Sequence, residues 1–331
     1  MTFKENDIRD LRVLRTYLDL VSIESKDILA KKESFETIDQ KTWGLGNSVI
    51  EFNKSGYNYE RCIDSGSLYV NPRPKLEILN DFYESADSGQ YWVREFFMPK
   101  VEFRRKKIFK PRAEFIKNKF SKSISKMRVG DIGAGVGIFI EELKKLSLSG
   151  LDIEAIEPSV YMAKICREKN IFVRQSMLEN LVDKIVPYDL LTSFELFEHL
   201  QNPLKFLKDC FNLLNPGGYL YMTTLNSHGF DIQVLWENSN SIFPPHHLNF
   251  FNPVSMKNIL KIIGFKNIEI DTPGELDVDI IRNAHKNEQN EIPRFLKTMF
   301  NFYGEDEINN FQKFIKDNCF SSHMRVIAQK G

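Results

Sequence analysis

One run of residues constrains this chain more than any other. Val129–Phe139 reads Val-Gly-Asp-Ile-Gly-Ala-Gly-Val-Gly-Ile-Phe. A short apolar strand passes an acid, turns through Gly-x-Gly-x-Gly and opens a helix over Ile138–Leu146. Such a turn lacks Cβ atoms where the backbone must come close to a ligand. A strand, turn and helix of this kind begin an α/β unit and offer a nucleotide-like group a seat at the strand's carboxyl end.

From Arg128 onward the pattern alternates. Strands are expected at Arg128–Ile132, Ile153–Glu157, Ile171–Arg174, Asp189–Ser193, Tyr219–Thr223, Asn267–Asp271 and His323–Ala328. Helices are expected between the first five, at Ile138–Leu146, Ser159–Lys169, Met177–Leu181 and Pro203–Leu214, with another at Lys257–Ile263. Alternation of this kind builds a parallel sheet with helices on both faces. A long polar and helical insert, roughly Pro273–Phe320, separates the last two strands.

The N-terminal part follows other rules. Asn6–Lys32 puts Ile8, Leu11, Leu14, Tyr17, Leu18, Val21 and Ile28 near helical spacing. That helix packs on the body or joins two copies, so a homodimer stays open. Phe35–Val70 holds several glycines among short apolar runs such as Leu68–Val70, which fits a small β-rich unit. Asn71-Pro-Arg-Pro74 is a stiff break, Leu76–Tyr83 reads as a helix, and Phe82–Trp92 reads as an aromatic loop. Val93–Phe120 reads as a basic helix that Pro99 and Pro111 break or kink. The division expected is a small α+β domain over 1–95, a linker helix over 96–127 and the main α/β domain over 128–331.

Composition narrows the function classes. The chain has 331 residues, of which 42% are hydrophobic, enough to bury a large core. No apolar run reaches the length of a membrane span, and the first residues lack a signal peptide's apolar centre, so a cytoplasmic protein without membrane insertion is expected. Cys62, Cys166, Cys210 and Cys319 show no paired spacing, which argues against a disulfide framework or a structural zinc site. Lys plus Arg and Asp plus Glu both total 45, whereas nucleic-acid binders usually carry a basic excess. The local exception is Lys100–Lys126, with Arg104, Arg105, Lys106, Lys107, Lys110, Arg112, Lys117, Lys119 and Lys122. It is either a solvated helix face or an electropositive wall beside a phosphorylated substrate.

Two cofactors compete for the glycine turn. A dinucleotide fingerprint wants Gly-x-Gly-x-x-Gly. Here the third glycine, Gly137, comes one residue early, and Asp131 precedes the turn. The second strand ends Ile156-Glu157-Pro158. A carboxylate there, about 20 residues past the turn, can accept hydrogen bonds from both ribose hydroxyls. Gln175–Leu178 offers polar and apolar groups to an adenine edge and face.

The ordered set resembles the class I S-adenosylmethionine-dependent methyltransferases, over Arg128 to about Asp271 and again at Ser322–Lys330. Asp131, Gly133, Gly135 and Gly137 match the family's first motif, Glu157 its ribose-binding acid, Phe194–His199 its fourth-strand segment and Asn215–Gly218 the turn before strand five. The resemblance implies a doubly wound, seven-stranded, Rossmann-like sheet with strand seven antiparallel beside strand five. It implies S-adenosylmethionine as cofactor, held by Asp131, Gly133, Ala134, Gly135, Gly137, Glu157, Pro158, Met177, Phe194 and Glu195. The aromatic loop carrying Tyr83, Tyr91 and Trp92 is implied to cover the cofactor.

The segments Pro245–Met256 and Ile263–Phe265 look like the subgroup acting on small molecules and saccharide precursors, and Gly274–Ile280 is similar to members from bacterial surface-polysaccharide pathways. Arg61–Pro74 resembles that subgroup's N-terminal module, which often carries zinc on Cys-x-x-Cys. This chain has Cys62 but Ser65 and no second pair upstream, while structural zinc usually needs four ligands, so no metal is expected.

Histidine suits removal of a proton from an acceptor hydroxyl because its ordinary pKa lies near neutrality. His199 follows strand four, and His246 and His247 follow strand five, at the carboxyl edge where open α/β sheets bind ligands. These three are the candidate catalytic residues, whereas His228 and His323 are weaker ones. Trp236, Phe243, Phe250 and Phe251 are expected to line the acceptor pocket or the core. The expected activity is O-methylation of a sugar, nucleotide-linked sugar or glycan precursor. The alternatives are transfer to carbon, nitrogen or a carboxylate, a non-catalytic cofactor-binding subunit, or a dehydrogenase with an unusual turn.

Overall fold

A computed structural model of the chain describes residues 4–39, 43, 46–121, 123–146, 150–286 and 291–331. Lys122 of the basic run lies outside them. The strands in chain order are Ser48–Lys54 (β1), Tyr57–Cys62 (β2), Leu68–Val70 (β3), Arg128–Ile132 (β4), Asp152–Ile156 (β5), Val173–Arg174 (β6), Tyr188–Phe194 (β7), Leu214–Leu225 (β8), Asn249–Phe250 (β9), Phe265–Asp271 (β10) and His323–Lys330 (β11).

Seven of them form one mixed sheet in the order β10-β11-β8-β7-β4-β5-β6. β4 pairs in parallel with β5 and β7, and β7 with β8. β11 lies antiparallel between β8 and β10, as expected of the seventh strand. Alternate residues feed opposite cores, because successive side chains on a strand point to opposite faces. Ile132, Leu191, Met222 and Val326 pack on one face with Leu207 and Cys210 of the helix Pro203–Leu213. Val129, Leu190, Tyr221 and Ile327 pack on the other with Phe139, Ile140 and Leu143 of the helix Ile138–Lys145. Burial on both faces is why these strands read as nearly continuous apolar runs.

The small antiparallel sheet has the order β1-β2-β3-β9. Its fourth strand comes from the segment just after His247, so the N-terminal unit is stitched to the loop that carries the candidate histidines. Buried Arg73 holds this junction. Its guanidinium donates to the Val70, Gln201 and Leu248 carbonyls and to Asn249 Oδ1 at 2.9–3.3 Å. Cys62 is buried in the core, while Ser65 donates to the Ser67 hydroxyl at 3.1 Å in the turn between β2 and β3.

The helix Leu11–Leu29 buries Leu14, Tyr17 and Val21 against Phe96, so this face packs on the body. Three readings change. The expected helix Met177–Leu181 is a single 3-10 turn at Leu178–Asn180. The expected aromatic loop is instead helical, with helices at Leu76–Ser85 and Asp87–Tyr91 running into a wide π turn at Trp92–Phe97. The basic helix is a chain of short segments, with a second π turn at Arg105–Phe109. Pro99 and Pro111 each stand in the first turn of a helical segment, where a missing N–H is tolerated. The insert is three helices, Asp277–Lys286, Arg294–Phe302 and Glu305–Asp317, sharing an apolar core of Ile281, Leu296, Ile308 and Ile315.

Candidate active site

The glycine turn follows β4 directly. Gly133, Gly135 and Gly137 all have left-handed backbones, with φ of 68°, 55° and 77°. A Cβ on Gly137 would stand 2.6 Å from Ile171 Cδ1 and 3.0 Å from Cys166 Sγ, so this glycine lets the helix approach β5 and β6. A Cβ on Gly135 would meet only Met162 Sδ, at 4.0 Å. Gly135 therefore faces open space beside the turn, the space a bound ligand would fill.

Glu157, at the end of β5, is tied to that turn. Its two carboxylate oxygens accept the Gly135 and Ser159 N–H groups at 2.8 and 2.9 Å. Burial raises its pKa and the two amides oppose the rise. Asp131 is buried with its Oδ1 accepting the Thr192 hydroxyl at 2.6 Å. Burial pushes its carboxyl up to about 7, against that hydrogen bond and with help from Glu157. Pro158 is exposed, and Ala134 and Met177 are half-buried around the turn.

β7 delivers Phe194 and Glu195 to the same edge, Glu195 with an unusual φ of 50°. Glu195 Oε1 accepts from Arg112 and from the Thr223 hydroxyl, both at 2.7 Å, and His323 Nδ1 lies 3.1 Å from Oε2. Burial alone would raise the Glu195 carboxyl; His323, Arg112 and Thr223 outweigh it and hold it well below the usual carboxylate range. Burial alone would lower His323, but Glu195, Asp277 and Asp231 push it up to about 9, so it carries a proton at neutral pH. Glu195 is thus engaged by protein cations, and Arg112 was marked in the sequence only as one cation of a basic run.

The three candidate histidines do meet. The rings of His199 and His247 are 4.6 Å apart between centroids, and His199 and His246 are 6.1 Å apart. The His247 Nδ1 lies 2.6 Å from the Ser241 carbonyl. A carbonyl only accepts, so Nδ1 carries the hydrogen and Nε2 keeps its lone pair. His246 Nε2 is 3.4 Å from the Tyr17 hydroxyl. His199 Nδ1 is buried with no partner. Burial lowers His199 to about 4 and lowers His246 and His247 well below the usual imidazole range, so all three are neutral at pH 7.

Aromatic rings wall this group. Tyr83 lies 5.6 Å from His246 and 6.4 Å from His199 between centroids, and its hydroxyl points to the His246 carbonyl at 3.5 Å. The Phe243 ring packs at a tilt of 50° against His247, with centroids 4.2 Å apart. Tyr91 and Trp92 instead pack against the N-terminal helix, beside Leu14, Tyr17 and Phe96. Phe250 and Phe251 are buried in the core, Trp236 packs beside Phe52, and the His228 ring packs on Gly66. Glu198 is 2% exposed and accepts the Thr224 hydroxyl at 2.8 Å, and burial pushes its carboxyl up to about 8. Among the described residues, Glu198, His199 and His247 also bring one possible metal-ligand atom each within 4.8 Å of one another.

Several cations of the basic run are spent on ion pairs within the chain. Arg105 pairs with Glu141 and Glu142, Arg112 with Glu195, and Lys119 with Glu269. Among the described residues, no helix is long and apolar enough to cross a membrane.

A seven-stranded sheet in this order, with a left-handed glycine turn on one strand and a tethered acid on the next, defines α/β proteins that seat an adenosine-type cofactor at the carboxyl edge. A family model described as a methyltransferase domain matches residues 101–270, just over half of the chain. The chain belongs to this family, the class I S-adenosylmethionine-dependent methyltransferases. It is similar to a ubiquinone biosynthesis O-methyltransferase of Parvibaculum lavamentivorans, 28% identical over 45% of this chain and 64% of that protein. A protein of the same name from Nitrosococcus oceani is 34% identical over 35% of this chain and 50% of its own length. The chain thus spans less than two thirds of the length of these relatives. A solved structure from Thermotoga maritima, described as a SAM-dependent methyltransferase and possible histamine N-methyltransferase, is 19% identical with a TM-score of 0.48, covering 72% of this chain and 97% of its own.

Proposed function

We propose that this chain transfers a methyl group from S-adenosylmethionine to a hydroxyl of a small-molecule acceptor. One observation carries the choice of oxygen: three neutral imidazoles, His199, His246 and His247, gathered at the carboxyl edge within an aromatic wall. The cradle fits the cofactor. Gly133 to Gly137 leave open space beside Gly135, Glu157 retains lone pairs for ribose hydroxyls, and Asp131, Ala134, Pro158, Met177 and Phe194 surround the turn.

When bound, the cofactor supplies a methyl group on a sulfonium, which leaves with the sulfur keeping the C–S electron pair. The residues of the chain do the rest. Phe243, packed on His247, and the 44%-exposed Tyr83 flank the acceptor and hold it in line, where most of the rate advantage of such a displacement arises. His247 Nε2 accepts the hydroxyl proton, because its Nδ1–H is fixed on the Ser241 carbonyl. His199 stands beside it as a second acceptor of hydrogen bonds, and His246 positions Tyr17.

The sugar, nucleotide-sugar or glycan-precursor acceptor rests on the resemblance of the Pro245–Phe265 segments. A phenolic hydroxyl is the second reading, favoured by the aromatic wall and by the name that the relatives carry. Transfer to carbon, nitrogen or a carboxylate has no comparable support among these residues. The test is methyl transfer by the purified chain from labelled S-adenosylmethionine to a panel of phenols and nucleotide sugars. Transfer to a hydroxyl, lost in His247→Ala, supports the reading. Transfer to nitrogen or carbon alone would overturn it.

A further inference from the structure

The helical insert borders a pocket of about 430 Å³ that shares no residue with the histidine cluster. Its walls are Phe230 of the helix Phe230–Leu235, Phe311, Phe314 and Ile315 of the helix Glu305–Asp317, and Phe320 just before β11. The rings follow one another. Phe230 meets Phe311 edge-on at 5.3 Å between centroids, Phe311 lies 6.5 Å from Phe314, and Phe314 lies 6.2 Å from Phe320. Phe314 and Phe320 are nonetheless 53% and 48% exposed. Open apolar surface in a concave, aromatic-lined site marks a ligand groove.

Backbone bonds fix these walls in place. The Phe230 N–H donates to the Phe320 carbonyl at 2.7 Å, and the Phe320 N–H to the Ile315 carbonyl at 2.9 Å. A Cβ on Gly229 would stand 2.2 Å from Ser322 Cα, so a glycine is needed where the loop after β8 meets the chain entering β11. Walls already held cost a ligand little ordering. His228 and Gln233 complete the lining. Gln233 Nε2 donates to the Ser227 carbonyl at 2.7 Å, which leaves Oε1 as an acceptor. Burial lowers His228 below its ordinary 6.5, so it is uncharged at neutral pH. No Asp, Glu, Lys or Arg lines the pocket, and the lysines beside it on the helix are paired, Lys313 with Asp317 and Lys316 with Glu275. That charge pattern offers nothing to an anionic lipid, a nucleic acid or an acidic peptide, and a charged ligand would enter without a partner.

We propose that this pocket binds a neutral small molecule, an aromatic compound of one or two rings that carries one hydroxyl or N–H. The phenylalanines hold its faces and edges, and Gln233 Oε1 accepts its hydrogen. The volume suits such a molecule and not a helix or a second domain. The site goes beyond the methyl-transfer reading and does not depend on it.

Fluorescence titration of the full chain with 2-naphthol, and with naphthalene, which lacks the hydroxyl, tests the site. F314K puts a charge on the exposed wall and should weaken both probes about tenfold or more. Q233L should weaken 2-naphthol about three- to tenfold and leave naphthalene within about twofold. Thermal midpoints near the wild-type value show that the variants fold, and F320K serves if F314K melts early. No binding of 2-naphthol by the wild type, or an affinity unchanged in either variant, overturns the proposal. Sedimentation velocity and flotation with phosphatidylcholine vesicles cover the other occupants. A wild-type dimer that F314K dissolves would give the pocket to a second copy of the chain. Vesicle binding by the wild type and not by F314K would give it to a membrane. Either result overturns the small-molecule site.

Discussion

The Glu157 carboxylate accepts the Gly135 N–H at 2.8 Å, which ties the end of β5 to the middle of the glycine turn on β4. One acid thereby shapes the cradle and remains available to a ribose. Removing it should cost twice. Glu157→Ala is expected to weaken S-adenosylhomocysteine by about 10–100-fold and to destabilise the chain by about 1–3 kcal/mol, because a charge-assisted hydrogen bond is lost and the Gly135 amide is left without its partner. Calorimetric binding and urea unfolding read the two effects separately.

Two glycines of the turn should part company. Gly137→Ala puts a methyl 2.6 Å from Ile171 Cδ1 on a backbone with φ of 77°, so it should destabilise by about 2–4 kcal/mol. Gly135→Ala has open space and should destabilise by about 1–2 kcal/mol, from the left-handed backbone alone. Its main effect should be on ligand affinity, because the new methyl points into the cradle. Denaturant midpoints and titrations of the two variants check the order.

Histidine variants should leave the cofactor alone. His247→Ala is expected to lower methyl transfer by about 10²–10⁴-fold with unchanged S-adenosylhomocysteine affinity. Because burial holds His199 near 4 and His247 well below the usual imidazole range, neither should give the rate an inflection at the ordinary histidine value near 6.5, and any change between pH 6 and 8 should follow Asp131, raised to about 7, or Glu198, raised to about 8 beside the two imidazoles. An inflection near pH 6.5 retained by both Asp131→Asn and Glu198→Gln would assign the base elsewhere.

Asp231 gives a pH test of stability. It is fully buried, neither carboxyl oxygen has a partner, and Asp277 and His323 face it. Burial, then repulsion by Asp277, raises it from an ordinary 3.8 to about 7. The folded state therefore binds this proton more tightly than the unfolded chain. The resulting stability is complete below the unfolded pKa and is lost as pH climbs through about 7. Asp231→Asn should match the wild type near pH 4 and exceed its thermal midpoint by roughly 2–4 °C at pH 8. A midpoint lower than wild type at pH 8 would show that the ionised carboxylate is needed.

The legible parts of the fold were those with local signals. β4 matched its expected bounds at both ends, and the strands of the large sheet read as apolar runs because both faces are buried. Asp131, Glu157 and the glycines lie at strand ends, where a motif fixes their place. The illegible parts depend on distant pairing. β9 is two residues long, and only its pairing with Leu68 and Tyr69 makes it a strand. The Phe82–Trp92 segment reads as a loop because polar and aromatic residues alternate without an apolar face, yet packing of Tyr91 and Trp92 on the Leu11–Leu29 helix makes it helical. The cluster of Arg112, Glu195 and His323 joins residues 83 and 128 positions apart, and no local spacing marks it.

The most direct measurement is a pair of calorimetric titrations of the purified chain, one with S-adenosylhomocysteine and one with NADH. One equivalent of S-adenosylhomocysteine should bind, with binding abolished by Gly133→Arg and with no heat from NADH. Tight NADH binding without S-adenosylhomocysteine binding would contradict the assignment of the glycine turn and everything built on it.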